Sequence, residues 1–141
     1  MKRSKPLTQR TPLARSATPP KPHARAKRYV PHIIPARLRM DVYARAGGRC
    51  DLCRIPLAGN AFDAHHRKLR SRGGEDSLEN LVALHRHCHD WVHHHPADAT
   101  RLGFMVASHA DPATTPLHLH GRIWVLPDGR AFVPTTRRST T

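Results

Sequence analysis

Two short pairs of metal-binding residue types constrain this chain more than any other feature. Cys50 and Cys53 are spaced C-x-x-C, and His85 and Cys88 are spaced H-x-x-C, with 31 residues between the pairs. The x-x spacing lets a tight turn aim two side chains at one tetrahedral ion. The four residues therefore read as a Cys3His zinc site. Four protein ligands leave no open position for water, so the expected role is structural. His87 lies close enough to His85 to compete for the fourth position. Cys50, Cys53 and Cys88 are the only cysteines. An odd number argues against a disulfide framework and for thiolate ligands. A chain of 141 residues with few aromatics builds a modest core, and a structural ion would help to hold it.

The formal charge is +14 with histidines neutral. Such an excess attracts polyanions, of which nucleic acid is the commonest. A membrane partner is not expected, because no long apolar run and no basic amphipathic helix stands out. No apolar segment follows the basic N-terminus, so no signal peptide is expected and the location reads as cytoplasmic. Residues 1–35 hold nine Lys or Arg, seven prolines and no acidic residue. That composition cannot bury enough apolar surface to offset chain entropy, so it reads as a disordered basic tail. It would serve as a DNA-tethering arm or merely as a solubilising one.

Residues 36–47 carry a helical pattern, with Leu38, Val42 and Tyr43 on one face and Pro35 just before the start. Gly47 and Gly48 end it. Residues 60–67 suit a strand, and Gly73-Gly74 marks a loop. Residues 77–84 suit a second strand. A helix is predicted from near His87 to His95, where Pro96 interrupts it, with one more helical turn over 97–102. Residues 121–126 and 130–133 flank Pro127-Asp128-Gly129 and predict a hairpin. The organisation expected is a tail over 1–35, a main domain over 36–103, an extension with the hairpin over 104–134, and a polar tail over 135–141.

Eight of the thirteen histidines lie between residues 65 and 95. His89 and His93 are four apart on the predicted helix, so their rings share a face. With one ligand from the preceding strand they could hold a divalent ion that keeps positions open for water and phosphate. His65 and His66 are adjacent on that strand and point to opposite faces. One can ligate the ion while the other takes a proton from water, since a neutral imidazole is a competent base near neutral pH. His94, His95, His23, His32, His109, His118 and His120 read as ordinary surface residues.

The run from Ala64 to His93 resembles the HNH endonuclease motif of the ββα-metal class. The resemblance rests on His65-His66, Asn80 in the middle, His89 on the helix with His93 one turn beyond, the Gly73-Gly74 loop and the Asn80-Leu81-Val82-Ala83-Leu84 run. It implies that His66 is the general base, that His65 is a metal ligand in place of a frequent Asp, that Asn80 fixes the loop orienting the base, and that His89 and His93 complete the site. The second knuckle pair of zinc-containing members is usually C-x-x-C, where this chain has His85. The segment after His93 is similar to HNH proteins encoded by phages and prophages, which would place a phage terminase among the partners and link the activity to DNA packaging.

The expected fold is α+β: a helix, a Cys3His zinc knuckle, a ββα-metal finger and a C-terminal hairpin. The expected reaction is hydrolysis of a DNA phosphodiester. Arg67, Arg70 and Arg72 would neutralise phosphate charge beside the site. Three histidines favour a transition metal such as nickel or zinc by ligand softness. The resemblance implies that magnesium or manganese can serve. A zinc-finger nucleic-acid-binding module without catalysis would explain the charge and the cysteines, but it leaves His65, His66, Asn80, His89 and His93 without a joint role.

Overall fold

The computed structural model describes residues 31–136 other than Asn60. The chain divides between Pro31 and His32, and every regular element belongs to the unit that starts at His32. The expected tail over 1–35 lies outside the described residues as far as residue 30, and the C-terminal tail does so from residue 137.

Helix α1 spans Ala36–Arg45, with Pro35 at its N-cap. It buries Val42 fully and leans Leu38 and Tyr43 on the core, which is the face the apolar spacing marks. Gly47 and Gly48 follow at φ +61° and +66°. Two successive left-handed residues turn the chain sharply, and glycine adopts that conformation at little cost. The Gly48 N–H closes the helix on the Tyr43 carbonyl at 3.1 Å.

Strand β1 (Asp63–His66) and strand β2 (Leu81–Leu84) pair antiparallel, with His65 opposite Val82 and His66 opposite Leu81. Both are shorter than the sequence suggests. Residues 77–80 turn instead, with the Leu81 N–H on the Ser77 carbonyl. All four β2 residues are buried, as suits an unbroken Leu-Val-Ala-Leu run. Helix α2 (Arg86–His94) follows and buries Cys88 and Val92. Pro96 cannot continue its hydrogen-bond ladder, so the chain bends at His95 and restarts as α3 (Pro96–Arg101) with Pro96 in its first turn.

A second sheet carries β3 (Leu117–Leu119), β4 (Ile123–Asp128) and β5 (Ala131–Pro134) in that order, all antiparallel. Strand β3 has no counterpart in the sequence reading. The hairpin is present, but Asp128 pairs with Ala131, so Gly129 and Arg130 form the turn and Pro127 and Asp128 stay in the strand. Phe104, Met105, Leu117, Leu119 and Val125 join the same core cluster as Val42, Leu81 and Val92. Residues 104–125 thus pack into the finger rather than trailing from it. Gly103 permits this. Its φ is +81°, and a Cβ there would come 2.0 Å from the Pro116 carbonyl oxygen. Among the described residues no helix is long and apolar enough to cross a membrane.

Candidate metal centres and the histidine between them

The turn after α1 places the first thiols. The Arg54 N–H bonds the Cys50 carbonyl, and the Cys50 N–H bonds the Ile55 carbonyl, which curls the backbone around Cys50 and Cys53. Arg54 adopts φ +67° to close that turn. Asp51 locks the turn to β2: its N–H meets the Ala83 carbonyl, and its carboxylate accepts the Ala83 N–H at 2.8 Å. Burial pushes the Asp51 carboxyl up to about 7, against the pull of that N–H and of Arg45 and Arg67.

His85 caps α2 and Cys88 sits in its first turn, so both face the knuckle. One ligand atom from each of Cys50, Cys53, His85 and Cys88 falls within 4.8 Å of the others. His85 Nδ1 is 3.4 Å from Cys53 Sγ, while its Nε2 is 3.1 Å from the Pro56 carbonyl. Donation to that carbonyl fixes the tautomer and leaves the Nδ1 lone pair toward the sulfurs. His87 stacks on His85 at 5.2 Å, exposed and outside the cluster. Burial pushes the Cys50 and Cys88 thiols up, and the neighbouring cysteines push Cys88 further. Three crowded sulfurs and a preset imidazole suit a thiophilic cation such as zinc.

The second cluster is His65, His89 and His93, again within 4.8 Å. Antiparallel pairing turns His65 inward from β1, where it is 2 % exposed, and α2 presents His89 and His93 one turn apart. The His89 and His93 Nε2 atoms are 3.1 Å apart. Two nitrogens on one tetrahedral ion lie roughly 3.3 Å apart for bonds of ~2.0–2.1 Å. His65 Nε2 donates to the Phe104 carbonyl at 3.0 Å, which leaves Nδ1 as its acceptor. Burial and then the neighbouring His89 lower the His65 pKa to about 3, so the ring stays neutral, as a ligand must.

Asp63 belongs with this group, and the sequence reading missed it. Its Oδ2 is 3.3 Å from His89 Nδ1 and 3.4 Å from Arg86 Nη1. The His89 contact lacks hydrogen-bond alignment. Asp63 precedes His65 by two residues in β1, so strand alternation already put them on one face.

His66 points the other way. Its Nε2 donates to Asp76 Oδ1 at 2.7 Å, and His32 Nε2 reaches Asp76 Oδ2 at 2.8 Å. Desolvation raises the Asp76 carboxyl, but the hydrogen bonds of His66 and His32 outweigh it and hold it below the usual range. His32 is exposed, and the side-chain carboxylate of a residue 44 positions away holds it. Asn80 is 1 % exposed and cannot touch a substrate. Its Oδ1 accepts the Lys68 N–H at 2.6 Å, and its Nδ2 donates to the Lys68 and Glu75 carbonyls. It clamps the loop that carries Asp76. Gly74 lies inside the clamp, where a Cβ would come 1.8 Å from the Lys68 oxygen.

Arg67 corrects the expectation that it meets phosphate. It is fully buried. Its Nε donates to the Gly103 carbonyl at 2.7 Å, and its Nη atoms to the carbonyls of Glu79, Pro112 and Thr115. A residue next to His66 on an antiparallel strand returns to the His65 side, so its guanidinium turns into the core. Burial lowers its pKa to about 9. Arg70 and Arg72 stay exposed in a short 3-10 turn, with Arg70 Nη1 3.6 Å from Asp76 Oδ1. His118 and His120 are half-buried rather than on the surface, and His118 stacks on Trp124 at 4.5 Å.

Residues 50–95 match the family model of the HNH endonuclease. No curated protein and no solved structure matches the chain. The matched stretch opens on the first knuckle thiol and closes at the end of α2, so it contains both metal clusters, His66 and Asn80. With an α+β fold around those clusters, the chain carries an HNH endonuclease domain over residues 50–95.

Proposed function

We propose that this chain is a metal-dependent endonuclease that hydrolyses DNA phosphodiester bonds. One observation carries the reading. Strand β1 puts His65 with His89 and His93 on one side and His66 against a carboxylate on the other, so ligand and base are neighbours in sequence but separate in space. A structural module needs no such division.

His66 is the general base. With Nε2–H donated to Asp76, its Nδ1 keeps a lone pair that can take a proton from water. The His66 side chain is 13 % exposed. Asp76 orients the ring and stabilises the imidazolium that forms. His65, His89 and His93 hold the catalytic ion, be it Mg2+, Mn2+, Ni2+ or Zn2+, which when bound supplies positive charge to a phosphate oxygen and to the leaving 3′ oxygen. Arg70 and Arg72 face solvent from the loop beside His66 and are the phosphate contacts of choice, with the remaining basic excess adding affinity without sequence preference. The knuckle ion is structural and fixes α2 against the turn after α1. Resemblance of the segment after His93 to phage proteins supports a setting beside a phage terminase in a bacterial cytoplasm.

The test is incubation of the purified chain with plasmid DNA and a panel of divalent metals, with and without EDTA. Metal-dependent nicking or linearisation is expected, with His66→Ala slower by about 100- to 10,000-fold while still folded and bound to DNA. Wild-type protein that binds plasmid and leaves it intact in every metal would make it a zinc-binding nucleic-acid module instead.

A further inference from the structure

A third set of donors lies outside both metal clusters. His32, His66 and Asp76 each offer one ligand atom within 4.8 Å of the others. The residues come from three separate segments: the stretch before α1, strand β1 and the loop that Asn80 clamps. Their convergence is a product of tertiary structure. Oδ2 and Oδ1 of Asp76 sit 2.8 Å and 2.7 Å from the two Nε2 atoms, and the rings are inclined at 56° with centroids 6.1 Å apart. Two imidazole nitrogens and a carboxylate oxygen are the ligand types zinc takes, and opening these contacts to roughly 3.3 Å would admit an ion at ~2.0–2.1 Å. His32 is exposed and starts from an irregular segment, so it can make that adjustment.

We propose that His32, His66 and Asp76 form a third divalent-cation site, selective for zinc-like ions, whose occupation switches the nuclease off. The switching half rests on the reading of His66 as base. A cation on Nε2 takes the lone pair there and leaves the ring's remaining proton on Nδ1. His66 then has no free lone pair to accept a proton from water. Arg70, 3.6 Å from Asp76 Oδ1, opposes the incoming charge, so this site fills after the other two. Magnesium prefers oxygen ligands, so without the phosphate oxygens that DNA would add at the His65 cluster it has little affinity for His32, His66 and Asp76 and leaves the base free. The same chain would cleave in magnesium or manganese and stall in excess zinc.

The test uses the full chain. Calorimetric titration with zinc should show one more equivalent in wild type than in His32→Ala, and Arg70→Gln should tighten that last equivalent. Plasmid cleavage in magnesium should proceed in His32→Ala within about twofold of wild type, whereas its zinc inhibition constant should rise by at least about tenfold, the usual cost of disturbing a metal site. Equal zinc stoichiometry in wild type, His32→Ala and Asp76→Asn would overturn the site and leave the triad a hydrogen-bonded brace. An extra equivalent that binds without slowing cleavage would retain the site and overturn the assignment of His66 as base, so the two failures are distinguishable.

Discussion

Arg67 Nε donates to the Gly103 carbonyl across 2.7 Å, and this bond begins a set of four that ties the residue after β1 to residues 79–115. Removing the guanidinium leaves the buried Gly103 carbonyl and three part-buried carbonyls without that donor, and an unsatisfied buried group costs about 1–3 kcal/mol. Arg67→Met should therefore lower stability by about 3 kcal/mol or more, measured by urea unfolding. Arg72→Met, at an exposed position, should stay within about 0.5 kcal/mol of wild type. Equal midpoints for Arg67→Met and wild type would remove Arg67 from the architecture.

Gly74 should be the most restrictive position in the loop beside His66. A Cβ there meets the Lys68 carbonyl at 1.8 Å and Asn80 Nδ2 at 2.9 Å, both inside the clamp. Gly74→Ala must push the loop outward, moving Asp76 away from His66. Cleavage should fall by more than tenfold even where the protein still folds. Gly73→Ala meets open space, so only its φ of +80° is strained, at about 1–2 kcal/mol. Kinetics on the pair decide the matter: similar cleavage rates would mean the clamp does not position the base.

The two metal clusters should separate by mutation. His89→Ala and His93→Ala remove ligands from the side of α2 that meets His65, whereas Cys88 turns toward Cys50 and Cys53. Elemental analysis should find the knuckle zinc retained in both variants. Cleavage should drop sharply and recover in part at high manganese, because mass action fills a weakened site. Zinc loss with unfolding in either variant would mean structural and catalytic ligands have been exchanged.

Asp63 offers a subtler test of the same centre. Its carboxylate faces the nitrogen of His89 remote from His93, so its charge would raise the basicity of His89 as the proposed ligand. Asp63→Asn should weaken metal affinity by about 10- to 100-fold, with little change in cleavage once metal is saturating. A lower rate at saturating metal with unchanged affinity would show that Asp63 acts elsewhere.

Removing the knuckle ion should unfold the domain. Cys88→Ser takes away a buried sulfur ligand, and binding free energy at such a site is folding free energy. Circular dichroism should show lost helix in Cys88→Ser, and in wild type treated with a strong chelator. Wild-type protein stripped of zinc that keeps its thermal midpoint would assign the stability to the apolar core alone.

Much of the site was legible in order along the chain because ligand spacing is a local property. A C-x-x-C turn, an i to i+4 pair on a helix and alternation on a strand are set by backbone geometry, and they located Cys50 with Cys53, His89 with His93, and His65 opposite His66. The helix ends at Gly47 and Pro96 were equally local, since they follow from φ freedom and a missing N–H. Tertiary structure alone decided the rest. Whether Arg67 meets solvent depends on residues 103–115 folding over it, and nothing near Arg67 in sequence announces four carbonyls that arrive from 12 to 48 positions away. Asp76 and His32 become partners of His66 only once the stretch before α1 lies beside the loop that Asn80 closes. Contacts between distant segments depend on how the core packs, and one-dimensional periodicity carries no record of it.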